Sequence, residues 1–183
     1  MALAWILVGI IAIILVFVVL LYNGLVRARN MVDNAWSQID VQLKKRSDLI
    51  PNLVETVKGY AKHEREAFKE VTEARTKFLN AKTIGEKARA SNMITDALKS
   101  IFAVAEAYPQ LRASENFKHL QEELSDIEGK IAYARQFYND SVLEYNNSIQ
   151  VFPNSLVAGP FGFSKREFFE VSVEERKSVK VKF

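Results

Sequence analysis

Residues 46–54, RSDLIPNLV, place Pro51 inside what otherwise has the pattern of one long amphipathic helix. Apolar residues recur at steps of three and four on both sides of the proline, without a change of phase. Pro51 removes one backbone donor and crowds the carbonyl of Ser47. We therefore predict a helix over about residues 23–79 that continues through a kink at Pro51. Its apolar positions are Val32, Trp36, Ile39, Leu43, Ile50, Leu53, Val57, Tyr60, Ala67, Val71, Ala74 and Phe78.

Two other interpretations of Pro51 place a helix end near the proline. A reversal at Pro51 would need a short loop, usually with glycine, and KKRSDLIPN contains none. The remaining alternative is that Asp48 caps a new helix with Pro51 in its first turn.

The first 22 residues, MALAWILVGIIAIILVFVVLLY, contain no charged side chain. As a helix they span about 33 Å, enough to cross the hydrocarbon of a bilayer, with Trp5 and Tyr22 near the two interfaces. We predict a retained single-pass anchor in the cell membrane over residues 1–22. Basic residues come after the span but not before it, which predicts an outside N-terminus and a cytoplasmic helical domain. They are Arg27, Arg29, Lys44, Lys45 and Arg46.

Two further helices and a different C-terminal segment complete the chain. Thr83 and Glu86 form a capping-box pattern that begins a helix over 84–108, and a third helix is predicted over 115–151. Residues 23–152 would thus form an elongated antiparallel helical bundle. Residues 153–183 are predicted to be an extended, Phe-rich tail, with strand-like alternation at Val171, Val173, Val179, Val181 and Phe183. This tail docks either on the helices, which we favour, or on the bilayer interface.

Two segments carry a family resemblance. YNGLVRARNMVDNAWSQIDVQLKKRSDLIPNLVETVKGYAKHE, residues 22–64, comes after the apolar N-terminus, and FPNSLVAGPFGF at 152–163 precedes FFE at 168–170. Together they resemble the LemA family of bacterial membrane proteins. The resemblance implies an all-α, elongated helical bundle with an N-terminal anchor. It brings no catalytic residues.

No catalytic, cofactor-binding or metal-binding residues are predicted. The chain has no cysteine and two histidines. HEREA at His63 lacks the second histidine of a zinc-binding helix, and no Glu-x-x-His pair of the di-iron kind occurs. The net charge of +3 is too small to indicate a nucleic-acid partner.

Two charged residues occupy apolar-type positions of the first helix, Arg46 and Glu64. Either their long side chains reach water, or they pair across an interface and fix helix register. If the helices run up, down and up, the start of the first helix lacks a partner unless the tail covers it. An uncovered apolar stripe indicates an interface. The candidate interface consists of Val32, Trp36, Ile39, Leu43, Arg46 and Glu64.

These features predict a non-enzymatic, membrane-anchored scaffold that self-associates, with the lipid bilayer, further copies of the chain and other membrane proteins as partners. One alternative is an adaptor or regulatory subunit of another membrane protein complex. A second, less favoured, is an enzyme whose site a single sequence does not reveal.

Overall fold

The chain folds almost entirely into α-helices. In a computed structural model, which describes residues 1–169, the helices are α1 Ala2–Lys58, α2 Arg65–Asn80, α3 Ile84–Ala107, α4 Pro109–Ala113, α5 Glu115–Ser148 and α6 Ser155–Ala158. No strand occurs between residues 1 and 169, so the all-α prediction is confirmed for that range. The strand-like alternation predicted for residues 171–183 lies outside the described residues.

Helix α1 contains Pro51 and continues past it to Lys58. The helix therefore does not end at the proline. The unbroken apolar phase predicted this continuation. The apolar N-terminal segment belongs to the same helix, because no loop interrupts α1 between Ala2 and Lys58.

The predicted first helix over 23–79 is wrong at its C-terminal end, because it consists of two helices. α1 ends at Lys58, and the backbone N–H groups of Tyr60 and Ala61 both bond to the Val57 carbonyl, at 3.0 and 2.9 Å. Gly59 comes directly after the last helical residue, and glycine costs a helix about 1 kcal/mol relative to alanine. The apolar phase persists across the break because α2 buries a helical face of its own, formed by Phe68, Val71, Ala74 and Phe78.

The carbonyl that Pro51 leaves without its usual helical donor is used by α2. The Arg75 Nε donates a hydrogen bond to the Ser47 carbonyl oxygen at 3.0 Å. Ser47 has no exposed surface, and an unsatisfied buried carbonyl costs about 1–3 kcal/mol. Pro51 thus leaves the Ser47 carbonyl of α1 without its helical donor, and Arg75 of α2 donates to it instead.

The predicted capping box at the start of α3 is confirmed. The Thr83 Oγ1 accepts a hydrogen bond from the Glu86 backbone N–H at 3.1 Å, and the Glu86 carboxylate accepts from the Thr83 N–H, also at 3.1 Å. Backbone hydrogen bonds from Lys82 and Thr83 lower the pKa of Glu86. α3 ends at Ala107, and Pro109 occupies the first position of α4.

The chain divides into two compact units. The terminal unit consists of residues 1–38 and 136–168, and the central unit includes residues 39–135 and 169. In the central unit Phe102 on α3 packs against Phe117 on α5 with ring centroids 6.2 Å apart, and Phe169 lies beneath the Arg135 guanidinium at 5.1 Å. Its core also buries Ile39, Leu43, Ile50, Leu53, Ile94, Ile101, Leu111 and Ile131.

Candidate functional site

The N-terminal part of α1 presents an uncovered apolar surface. Among the described helices, α1 is long and apolar enough to cross a membrane by length and composition, and its most apolar 18-residue window has a mean hydropathy of 3.3. No residue of that window is buried. Apart from the half-buried Val18, the large apolar side chains between Leu3 and Leu20 are 49–75 % exposed, against 1 % for Leu25. The uncovered apolar surface of α1 therefore ends just after the apolar run of residues 1–22.

The segment after α6 packs on α1 immediately beyond this surface. Within the terminal unit, the Tyr22 ring lies 5.1 Å from the Phe161 ring and 5.7 Å from the Phe163 ring, centroid to centroid. The Arg29 guanidinium lies over Phe163 at 5.2 Å. One turn further along α1, Asp33 pairs with Arg166 at 2.9 Å. Four aromatic and charged contacts thus hold residues 161–166 on α1.

Three α5 side chains hold the backbone of the same segment. The hydroxyls of Tyr138 and Tyr145 donate to the carbonyl oxygens of Glu167 and Ser164, at 2.8 and 3.0 Å. Asn146 bonds Arg166 twice, donating to its carbonyl at 2.9 Å and accepting from its N–H at 2.8 Å. Burial raises the pKa of both tyrosines.

A buried polar cluster links three helices of the central unit through Arg46, which is 1 % exposed. Its Nη1 donates to the Thr95 hydroxyl at 3.0 Å and to the Glu128 carboxylate at 2.5 Å. Its Nη2 donates to the Ser91 carbonyl at 2.9 Å and to the Ser91 hydroxyl at 2.6 Å. A single α1 side chain thus bonds two residues on α3 and one on α5.

Two further polar contacts connect the helices of the central unit. Asp40 on α1 pairs with Lys87 on α3, and this pair is partly exposed. The half-buried Glu64, which precedes α2, accepts a hydrogen bond from the Tyr108 hydroxyl at 3.1 Å. That hydrogen bond raises the pKa of Tyr108.

The proposed interface residues fall mainly inside the folded chain. Val32, Ile39 and Leu43 are 2 % exposed or less, and the half-buried Trp36 packs edge-on against Tyr138 with centroids 5.7 Å apart. The stripe is therefore covered, and the inference from an uncovered stripe to an interface fails. The physical reason is that other parts of the same chain, among them Tyr138 of α5, supply the covering surface.

Arg46 and Glu64 differ in exposure. Arg46 does not reach water and pairs with Glu128 of the same chain, whereas Glu64 is half-buried and accepts a hydrogen bond from Tyr108. Both residues therefore make contacts between elements of the central unit.

Sequence reasoning missed the partners of Arg46. Ser91 and Thr95 are one turn apart on α3, beside the buried Ile94 and Leu98. Two hydroxyl residues next to an apolar helical face indicate a polar partner from another helix, and the sequence does carry this signal. Glu128 gives no comparable signal, because it comes directly after Ile127 at a position typical of a solvated face.

Within residues 1–169, no three His, Asp or Glu side chains lie close enough together to hold a metal ion. The candidate surfaces of the described chain are the uncovered apolar span and the aromatic segment beside it. The Arg46 cluster is an internal element.

The fold and these surfaces define an α-helical protein whose first helix carries a bilayer-length apolar segment. Residues 35–183 match the LemA family, and the chain belongs to that family. The resemblance carried by residues 22–64 and 152–170 is thereby confirmed.

Three similar proteins illustrate the relationship. Protein LemA of Metamycoplasma hominis is 29 % identical over 161 residues, covering 86 % of this chain and 72 % of that protein. Magnetosome protein MamQ 2 of Paramagnetospirillum magneticum is 25 % identical over 175 residues, covering 81 % of this chain and 64 % of that protein. Magnetosome protein MamQ of Magnetospirillum gryphiswaldense is 24 % identical with the same coverage. The chain thus spans less than two thirds of the length of these magnetosome proteins.

Proposed function

We propose that this protein is a non-enzymatic helical scaffold, anchored in the cell membrane by a single span and associated there with further copies of itself. The observation that carries the proposal is the course of α1. Its apolar segment is uncovered, and the same helix continues without a loop to Lys58. Placing that surface in a bilayer removes it from water. This stabilises the inserted helix by about 25 cal/mol per Å² of apolar surface.

The helices of the central unit fit the antiparallel bundle that the proposal requires. Arg75 of α2 contacts Ser47 of α1, and Phe68 lies near Lys58, so the direction of α2 is opposite to that of α1. α3 contacts α1 through Lys87 at Asp40 and through Ser91 at Arg46, so its direction matches that of α1. The charged groups Arg46, Lys87 and Glu64 all serve contacts between elements, which supports structural roles for them.

Self-association is proposed for the full-length chain in its bilayer. Anchoring confines copies to a thin layer and raises their effective concentration. Because Val32, Ile39 and Leu43 are buried, the proposed contact between copies uses another surface. The largest uncovered apolar surface described is the span itself. An adaptor for another membrane protein is the alternative, and it would show a fixed stoichiometry with that protein.

Counting fluorophores tests the self-association. Full-length protein with one label per chain, reconstituted at low density in phosphatidylcholine vesicles, should bleach in more than one step. A monomeric single-span protein of similar size in the same vesicles provides the control. Single-step bleaching at every density, with capture of one native membrane protein in constant ratio, would replace the scaffold by the adaptor.

The proposed orientation places the helical domain in the cytoplasm. Basic residues such as Arg27 and Arg29 come directly after the span, so a reporter fused after Phe183 should behave as cytoplasmic. An impermeant label should reach this reporter only after cell lysis, while a tag added before Met1 should react in intact cells. The opposite pattern would reverse the orientation without affecting the anchor.

A further inference from the structure

The segment that joins α5 to the aromatic contacts on α1 exposes an unusual amount of apolar surface. Val151, Phe152, Leu156 and Phe161 are 53 %, 78 %, 66 % and 54 % exposed. They fall within eleven consecutive residues, which we call the 151–161 loop. Exposed apolar side chains grouped in this way usually mark a contact with a partner or a membrane.

The backbone of the 151–161 loop is folded on itself. The N–H groups of Ser155 and Ala158 bond to the carbonyls of Val151 and Asn154, each at 2.9 Å. The Phe161 N–H bonds to the Val157 carbonyl at 3.2 Å. Backbone groups paired locally can enter an apolar environment at a lower cost than open ones. Val157 and Ala158 are buried, so the loop has an inner and an outer apolar side.

The place of the loop in the terminal unit indicates what covers its outer side. Phe161 packs with a tilted ring against Tyr22, the last residue of the apolar run, with ring centroids 5.1 Å apart. If residues 1–22 span the hydrocarbon, Tyr22 lies near the headgroup level. The loop therefore lies beside the point where the anchor leaves the bilayer.

The charge of the surrounding sequence agrees with a lipid surface. Residues 149–165 contain no acidic residue, and Lys165 is exposed, whereas Arg166 pairs with Asp33. Arg27, on the part of α1 after Tyr22, is also exposed. Basic residues near a bilayer attract anionic headgroups, and aromatic and leucine side chains enter the headgroup–acyl boundary.

We propose that the 151–161 loop is a second membrane contact, in which Val151, Phe152, Leu156 and Phe161 insert into the headgroup–acyl boundary of the bilayer that α1 spans. The inference rests on the proposed anchor. The chain then holds its membrane at two points, and the contacts of Phe161 and Phe163 with Tyr22 join these points directly.

Single-cysteine labelling tests this contact, because the chain has no native cysteine. Phe152→Cys and Leu156→Cys, each carrying an environment-sensitive fluorophore, would be compared with Ile11→Cys inside the span and Lys118→Cys at an exposed site on α5. The full-length variants would be reconstituted in phosphatidylcholine vesicles with a minority of phosphatidylglycerol. Lipids with a nitroxide near the headgroup or deep in the acyl chain would serve as quenchers, and iodide would report contact with water.

Labels at 152 and 156 should be quenched several times more strongly by the shallow nitroxide than the label at 118, and iodide should quench them weakly. The label at 11 should respond mainly to the deep nitroxide. Lipid quenching at 11 with iodide quenching at 152 and 156 would overturn the loop contact alone, whereas iodide quenching at 11 would overturn the anchor. Shielding of 152 and 156 from both quenchers would mean that protein covers the loop, and this also overturns the lipid contact.

A double substitution provides a second measurement on exposed positions that should not disturb folding. Phe152→Ser with Leu156→Ser removes the two most exposed apolar side chains of the loop. A label at Val151→Cys should then lose most of its shallow-nitroxide quenching and become accessible to iodide. Unchanged quenching at 151 would show that these two side chains do not hold the loop in the lipid.

Discussion

Arg46→Ala is expected to lower the free energy of unfolding by about 1–3 kcal/mol, the cost of leaving a buried hydrogen-bonding group without its partner. The substitution empties the space of a large, 1 % exposed side chain and leaves the buried Ser91 hydroxyl without its charged donor. Chemical denaturation of the full-length chain in micelles, followed by far-ultraviolet circular dichroism, would measure the change. The neighbouring Lys45→Ala is a matched control at an exposed position and should change the stability by less than about 0.5 kcal/mol.

A double-mutant cycle separates the charge pair from the packing of Arg46. Glu128→Leu leaves the Arg46 guanidinium, 1 % exposed, without this carboxylate, so it should also destabilise the chain. Arg46→Met combined with Glu128→Leu should be more stable than the sum of Arg46→Met alone and Glu128→Leu alone predicts, because the pair is removed together. Strict additivity would show that the two side chains do not stabilise one another.

Ile39→Ala is expected to lower the free energy of unfolding by about 2–5 kcal/mol, because truncating a fully buried side chain leaves a cavity. Ile39 has no exposed surface, whereas Val41, two residues further along α1, is 51 % exposed. Val41→Ala is therefore the matched control and should have little effect. Trp36→Ala should have a smaller effect than Ile39→Ala, because Trp36 is only half-buried.

The variants Ile39→Ala and Trp36→Ala also decide between core and interface for the covered stripe. If Ile39 and Trp36 belong to the core of a single chain, Ile39→Ala should lower the resistance to protease. The number of copies per assembly should then stay constant. A smaller assembly at unchanged unfolding free energy would instead restore the predicted interface.

The features predicted correctly from the sequence are those that depend on local patterns of residues. The apolar phase through Pro51 predicted a continuing helix, and Thr83 with Glu86 predicted the start of α3, because both signals lie within a few residues of the feature that they specify. The break after Lys58 was missed because phase continuity was taken to mean one helix. A heptad pattern records which face is buried, and two helices packed in one core can share it.

The internal contacts could not be predicted for a different reason. Arg46 and Glu128 are 82 positions apart, and Asp33 and Arg166 are 133 positions apart. Each charge looks solvated in its own helix, and only the packing of the helices brings it to its partner. The tail was predicted to dock on helices or on lipid. Residues 161–167 contact α1 and α5, and the exposed side chains of the 151–161 loop are those proposed to enter the lipid.

The acceptor at Ser47 makes the folding of α1 and α2 cooperative. In an isolated α1 the Ser47 carbonyl would lack its usual helical donor, because position 51 has no N–H. It gains a donor from the protein when the chain turns after Lys58 and brings Arg75 beside it. The packing of α2 therefore adds a hydrogen bond to the backbone of α1. A proline in mid-helix, ordinarily a local defect, here transmits stability between segments 28 residues apart in sequence.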